Sequence, residues 1–348
     1  MGFHADTAVE AITGTCYGAT LCEAWDVVGN ANGGYLLAIA ARAMTAASGR
    51  PHPVTLSAHF LSPGRPGPLT IDCETVKEGR RFATLSATLS SADKPLLRLL
   101  GGFGDLGALE GPARIEEQPP ELPPPDECPR VRAAPEGFPP AMMDRIDLRL
   151  HPDDAGFKAG KPSGRPLFRG WFRLLDDEPL DASALLLALD AFPPTIFNAN
   201  LPVSWTPTVE LTAHLRAVPA PGWLRCRFST RFIAGGLMEE DGELWDSAGH
   251  FVAQSRQLAL VSIACVCAHQ QLEHRRRRND GEDVQRPQAD QAPVAGEAGG
   301  AGGAAAQVQA ARALQHVGAL CLAARQRRRR AARGRGGADG RRAHVGGG

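Results

Sequence analysis

The sequence predicts an α+β chain in which a helix packs on a curled antiparallel sheet, and does so twice. Three observations carry this. The stretch 59–102, "HFLSPGRPGPLTIDCETVKEGRRFATLSATLSSADKPLLRLLGG", lies over 214–260 at an offset of 155 to 156 residues. Each copy opens with His and an apolar residue, then has a Pro/Gly turn, two long strand-like runs, a Ser-Ala turn (91–92 and 247–248) and a final strand. Upstream of each lies an apolar helix, 33–44 in one half and 183–193 in the other.

The elements follow in order. "GGYLLAIAARAMTAAS" (33–48) is the first helix, and "VTLSAHFL", "LTIDCETVKEG", "FATLSATLSS" and "PLLRLLGGF" read as strands of a first domain over 1–105. Residues 106–140 hold ten of the 28 prolines and form an extended linker. A second domain spans 141–263, and 264–348 is an Arg, Gly and Ala-rich tail without a periodic core, expected to be disordered. An out-of-frame translation of GC-rich coding sequence is the other account of that tail.

Composition narrows the functional classes. The 348 residues suffice for about two domains, and 43% hydrophobic with 22% charged is ordinary for a soluble protein. The formal charge of 0 conceals an imbalance. The tail has 15 Arg against 7 acidic residues, +8, so residues 1–263 carry 23 basic against 31 acidic, −8. Nucleic-acid binding is therefore expected at most from the tail. No run reaches the ~18–20 apolar residues of a membrane span, and the start lacks the pattern of a signal peptide. Eight scattered cysteines suit a reducing cytoplasm. "CVCAH" (265–269) lacks a second ligand pair, so neither a metal nor another cofactor is expected.

One residue stands out chemically. "DASALLLALDAFPPT" (181–195) sets Asp190 in the most apolar helix, which Asp181 or Ser183 would cap and Pro193-Pro194 would stop. A carboxylate there must be paired, hydrogen-bonded or functional; a turn towards solvent is the plain alternative.

At these residues a likeness emerges. "NANGGYLLAIAARAM", the "GRPG" turn before "ETVKEGRRFAT", and "DGELWDSAGHFVAQSRQLAL" resemble the type II acyl-CoA thioesterases, over roughly residues 15–262. The resemblance implies a double hotdog, two helix-on-sheet domains in one chain. It also implies a hydrolytic site of an Asp, a Thr and a Gln in the second domain, here Asp190, Thr208 and Gln257. Sliding the second half back onto the first sets Ala40, Pro53 and Gly101 opposite these three, as duplication with one working site would.

A carboxylate can act as general base on a water attacking a thioester. Burial would raise the Asp190 pKa, and hydrogen bonds from Thr208 and Gln257 would offset that. Gly33 and Gly34 in "NGGY" are candidate oxyanion donors, Leu186, Leu189 and Phe192 would flank the acyl chain, and Arg80 and Arg81, with Arg65, could meet the phosphates of coenzyme A. His59 and His214, at equivalent repeat positions, suit a structural role. The implied activity is hydrolysis of acyl-CoA to free acid and CoA, in lipid metabolism. Binding of an acyl ligand without turnover is the rival, because "ELTAHLRA" replaces the more aromatic, His-containing stretch usual there. Exposed sheet edges make a homo-oligomer the expected state.

Overall fold

The computed structural model describes residues 2–263 apart from 93, 136–137 and 176–177. The tail expected to be disordered, 264–348, lies outside the described residues. The first half contributes α1 (Phe3–Asp6), β1 (Glu10–Thr13), β2 (Cys16–Leu21), α2 (Gly33–Ser48), β3 (His52–Phe60), β4 (Gly67–Glu78), β5 (Ala83–Ser91) and β6 (Lys94–Gly104). The second contributes β7 (Ile146–Leu150), β8 (Leu167–Leu174), α3 (Ala182–Ala188), β9 (Val203–Trp205), β10 (Thr208–Leu215), β11 (Leu224–Ser229), β12 (Ile233–Ala234), β13 (Leu237–Trp245), β14 (Phe251–Leu260) and β15 (Ser262–Ile263).

Among the described residues the main sheet runs β1-β2-β4-β5-β6-β3-β10-β14-β13-β11-β8-β7, with β12 on β13 and a separate β15-β9 pair. This order reads the same from either end once each strand is replaced by its repeat equivalent. The halves join where β3 pairs antiparallel with β10. Ser57 pairs there with Thr212, its own equivalent 155 residues on, and their hydroxyls lie 2.7 Å apart. A residue that pairs with its own copy sits on the pseudo-two-fold axis, so the duplication read from the sequence is the symmetry of the sheet.

Alternation along the strands builds the core. Leu56, Ala58, Ile71, Leu85, Ala87, Leu211, Ala213 and Leu215 are buried in the main hydrophobic cluster, in company with α2 and α3. Nine of the sixteen residues of α2 are Ala, Leu or Ile, and ten of its residues are buried, as a helix apolar on most sides requires. Asn32 caps it by accepting from the Tyr35 N–H, and Gly49 ends it at φ 61°. No described helix is long and apolar enough to cross a membrane.

Two expectations change. The second helix, read over 183–193, is the seven-residue α3, capped by Asp181 through the Ala184 N–H. Asp190 thus lies in the turn beyond it, drawn off by partners at the start of α2, and is not the conformational equivalent of Ala40 inside α2. The segment 106–140 is largely extended, but it is strapped onto the outer strands of the second half. Trp171 donates its indole N–H to the Pro123 carbonyl at 2.9 Å, and the Val131 N–H donates to the Leu148 carbonyl at 2.8 Å.

Candidate active site

The end of α3 meets the start of α2. The Gly34 N–H donates to Asp190 Oδ2 at 2.8 Å, and Asn32 Nδ2 donates to the same oxygen at 2.9 Å and to the Asp190 carbonyl at 3.0 Å. Asn32 therefore serves two ends at once, its Oδ1 capping α2 at Tyr35 while its Nδ2 holds Asp190. The glycines are what allow the approach. A Cβ on Gly34 would stand 2.7 Å from the Leu186 carbonyl oxygen and 2.9 Å from Asp190 Cβ; one on Gly33 would stand 2.9 Å from Asp190 Oδ2. The positive end of the α2 dipole faces the carboxylate.

Asp190 is half-buried by accessible surface yet set deep among apolar neighbours. Burial pushes its pKa up to about 6, against the pull of hydrogen bonds from Gly34, Asn32 and Gly33. A carboxyl that is poorly hydrated but reachable by water suits general-base work near neutral pH.

Thr208 and Gln257 come together on adjacent strands, with the Thr208 hydroxyl donating to Gln257 Oε1 at 3.0 Å. The expectation that these two offset the burial of Asp190 is not met, because Asn32 and the α2 amides do so. Gln257 instead donates through Nε2 to Glu240 Oε1 at 2.7 Å, and Glu240 Oε2 accepts from the Thr195 N–H at 2.7 Å. Glu240 is buried on β13, only 4% exposed. Burial pushes its pKa up to about 7, hydrogen bonds from Thr195 and Gln257 oppose this, and the charge of Asp190 adds to the rise. The two carboxyl groups are thus close enough to feel one another.

The other candidates divide. Gly33 and Gly34 are at the site, although the Gly34 N–H is engaged by Asp190 and not held open for an oxyanion. Leu186, Leu189 and Phe192 are buried beside it in the main core, Phe192 stacked on Phe228 with centroids 4.7 Å apart. Arg80 and Arg81 are exposed in the turn between β4 and β5, and Arg65 is exposed in the preceding loop. Sequence reasoning missed Asn32 and Glu240. Asn before Gly-Gly at a helix start is a cap signal. Glu240 is the one acidic residue among the inward positions Met238, Glu240, Gly242 and Leu244 of β13, a signal that needs the strand register to be seen.

Residues 21–104 match the acyl-CoA thioesterase N-terminal domain and 125–261 match the acyl-CoA thioesterase C-terminal domain. The chain belongs to the type II acyl-CoA thioesterase family. A solved structure of a candidate thioesterase II from Thermobifida fusca YX is 32% identical and superposes with a TM-score of 0.67, covering 75% of this chain and 97% of that one. A hot dog fold protein of unknown function from Alicyclobacillus acidocaldarius, 22% identical over 75% of this chain and 97% of its own, has a TM-score of 0.66 and supports the fold alone. The uncharacterized protein Rv0499 of Mycobacterium tuberculosis is 29% identical over 270 residues, 69% of this chain and 89% of that protein. The double-hotdog architecture stands with the family, and hydrolysis of thioesters is the chemistry that membership carries.

Proposed function

We propose that this thioesterase hydrolyses fatty acyl-CoA to free acid and CoA, using Asp190 as general base and Thr208 and Gln257 to orient the water. The observation that carries the reading is the Asp190 carboxylate held by Gly34 and Asn32 at the start of α2, half-buried and with its pKa raised to about 6. As the water oxygen attacks the thioester carbonyl carbon, Asp190 takes its proton. The tetrahedral adduct collapses with cleavage of the C–S bond, and the proton returns from Asp190 to the departing thiolate. Acid and CoA–SH leave, and the carboxylate is restored without a metal or redox group. Leu186, Leu189 and Phe192, packed in the core beside Asp190, make its surroundings apolar, which suits an acyl substrate, and the exposed Arg80 and Arg81 suit phosphates.

The end strand β1, exposed along its length, leaves a sheet edge that a second copy could cover, which supports a homo-oligomer, whereas residues 129–131 already cover the outer edge of β7. Free thiols at Cys16, Cys22, Cys73, Cys128 and Cys226 fit a cytoplasmic setting. The test is release of free CoA by the full chain from acyl-CoAs of several lengths, beside Asp190→Asn. Turnover that collapses in the variant supports the reading. Saturable binding of acyl-CoA without turnover of any length would replace it with the ligand-binding alternative.

A further inference from the structure

We propose that Glu240 is a positioning residue of the hydrolytic site, fixing which way round the Gln257 amide sits and thereby committing the Thr208 hydroxyl; this rests on the function proposed above. The argument begins with what each group can do. An ionised carboxylate only accepts, so Gln257 must turn its NH2 towards Glu240 and its carbonyl towards Thr208. Thr208 must then donate, as it does at 3.0 Å. Its lone pairs stay free to accept from a water, and Gln257 keeps a second N–H to donate. Glu240 is anchored in turn by the Thr195 N–H, itself in a short turn where the Thr195 and Thr230 hydroxyls lie 2.6 Å apart.

The duplication shows that the fold does not need this carboxylate. In the second half Glu240 pairs with Gln257 across β13 and β14, and Leu211 pairs with Gln257 across β10 and β14. In the first half the same two registers are Leu85 with Gly101 and Leu56 with Gly101. Leu85 is fully buried. The sister copy thus holds Leu85, Gly101 and Pro53 where this one holds Glu240, Gln257 and Thr208, so the polar chain appears and vanishes as a unit. Among the described residues, Asp190 is the charged group whose field reaches Glu240; Thr195, Thr230 and Gln257, which surround it, are uncharged. A proton on Glu240 would make it a donor, turn the Gln257 amide over and reverse the relay at Thr208.

The test uses the full chain with Glu240→Gln, and with Glu240→Leu as the residue type the fold already accepts in the other copy. Each is compared with wild type for kcat, KM, pH profile and the side-chain amide NMR signals of Gln257, assigned by their loss in Gln257→Ala. The expected result is kcat lowered roughly tenfold or more, in line with losing a preorganised hydrogen-bonding group, with KM within about twofold. The Gln257 Nε2 protons of the wild type should shift as Glu240 titrates, a readout that depends on neither Glu240 variant folding. Unchanged kcat with unmoved amide signals would overturn the proposal. A wild type that hydrolyses no acyl-CoA would overturn the hydrolase reading instead, and the wild-type amide titration would still decide whether Glu240 orients Gln257.

Discussion

Asp190 at the end of one hotdog helix is held by Gly34 at the start of the other, Oδ2 to N–H at 2.8 Å. The site is therefore a product of the duplication and belongs to neither half. One copy supplies the carboxylate, and the other supplies the amides and the Asn32 side chain that keep it usable. Burial alone would push Asp190 towards permanent protonation, and the start of α2 opposes this.

Activity should follow the ionisation of that carboxylate. A general base works only when deprotonated, so kcat/KM is expected to rise with pH through about 6 as Asp190 ionises, to rise again through about 7 as Glu240 ionises and fixes Gln257, and then to level off. Asp190→Asn should lower kcat by about 10² to 10⁴ while the melting temperature is held or raised, since the amide can still accept from Gly34. Initial rates of CoA release between pH 5 and 8 measure this. A profile already flat at pH 5 would remove Asp190 as the base.

Glu240 should leave its mark on stability. Its folded pKa, raised from 4.5 to about 7, lies above its unfolded value. Its favourable contribution is then fully present below about pH 4.5 and is lost as pH rises to about 7. At ~1.4 kcal/mol per pKa unit the whole change is about 3 kcal/mol. Urea unfolding of wild type and Glu240→Gln across pH 4 to 8 compares the slopes, and the variant should decline less steeply, keeping only the part that Asp190 contributes. Parallel slopes would mean that Glu240 titrates normally.

Much of this was legible in the sequence because it rests on periodicity. The 155-residue offset, the strand runs and the helix beginning at Gly33 all came from patterns that burial imposes on residue order. Asp190 was conspicuous because a carboxylate in "LLLALDAF" breaks such a pattern. Its partners were not, because a hydrogen bond from Asn32, 158 residues away, is a fact of how two helices abut. The end of α3 was misread for the same reason. Nothing local stops a helix at Ala188; Asp190 leaves it to reach α2. Glu240 was hidden among the charges of "MEEDGELW", where only strand register separates the buried glutamate from its neighbours.

Asn32 offers a prediction in which stability and activity move together. Asn32→Ala removes the α2 cap, worth about 1 kcal/mol, and the hydrogen bonds to Asp190, worth about 1.5–3 kcal/mol where a charged group accepts. The lost donor had been lowering the Asp190 pKa, so the acid limb of the rate profile should move above about 6. Denaturation midpoints and the same pH series read both effects. A destabilised variant with an unmoved acid limb would reduce Asn32 to a helix cap.

Gly34 and Gly49 separate close approach from backbone strain. Gly34→Ala would set its Cβ 2.7 Å from the Leu186 carbonyl oxygen, a backbone atom that cannot swing aside, and 2.9 Å from Asp190 Cβ. The two helices must then part, at a cost of roughly 1–3 kcal/mol, and the amide that holds Asp190 withdraws with them. Gly49→Ala meets open space but must adopt φ 61°, which costs roughly 1–2 kcal/mol by itself. The two variants should therefore unfold at similar temperatures. Their turnover should differ, with Gly49→Ala near wild type and Gly34→Ala losing most of its kcat. Equal activities at equal stability would mean that the junction of α2 with Asp190 serves packing alone.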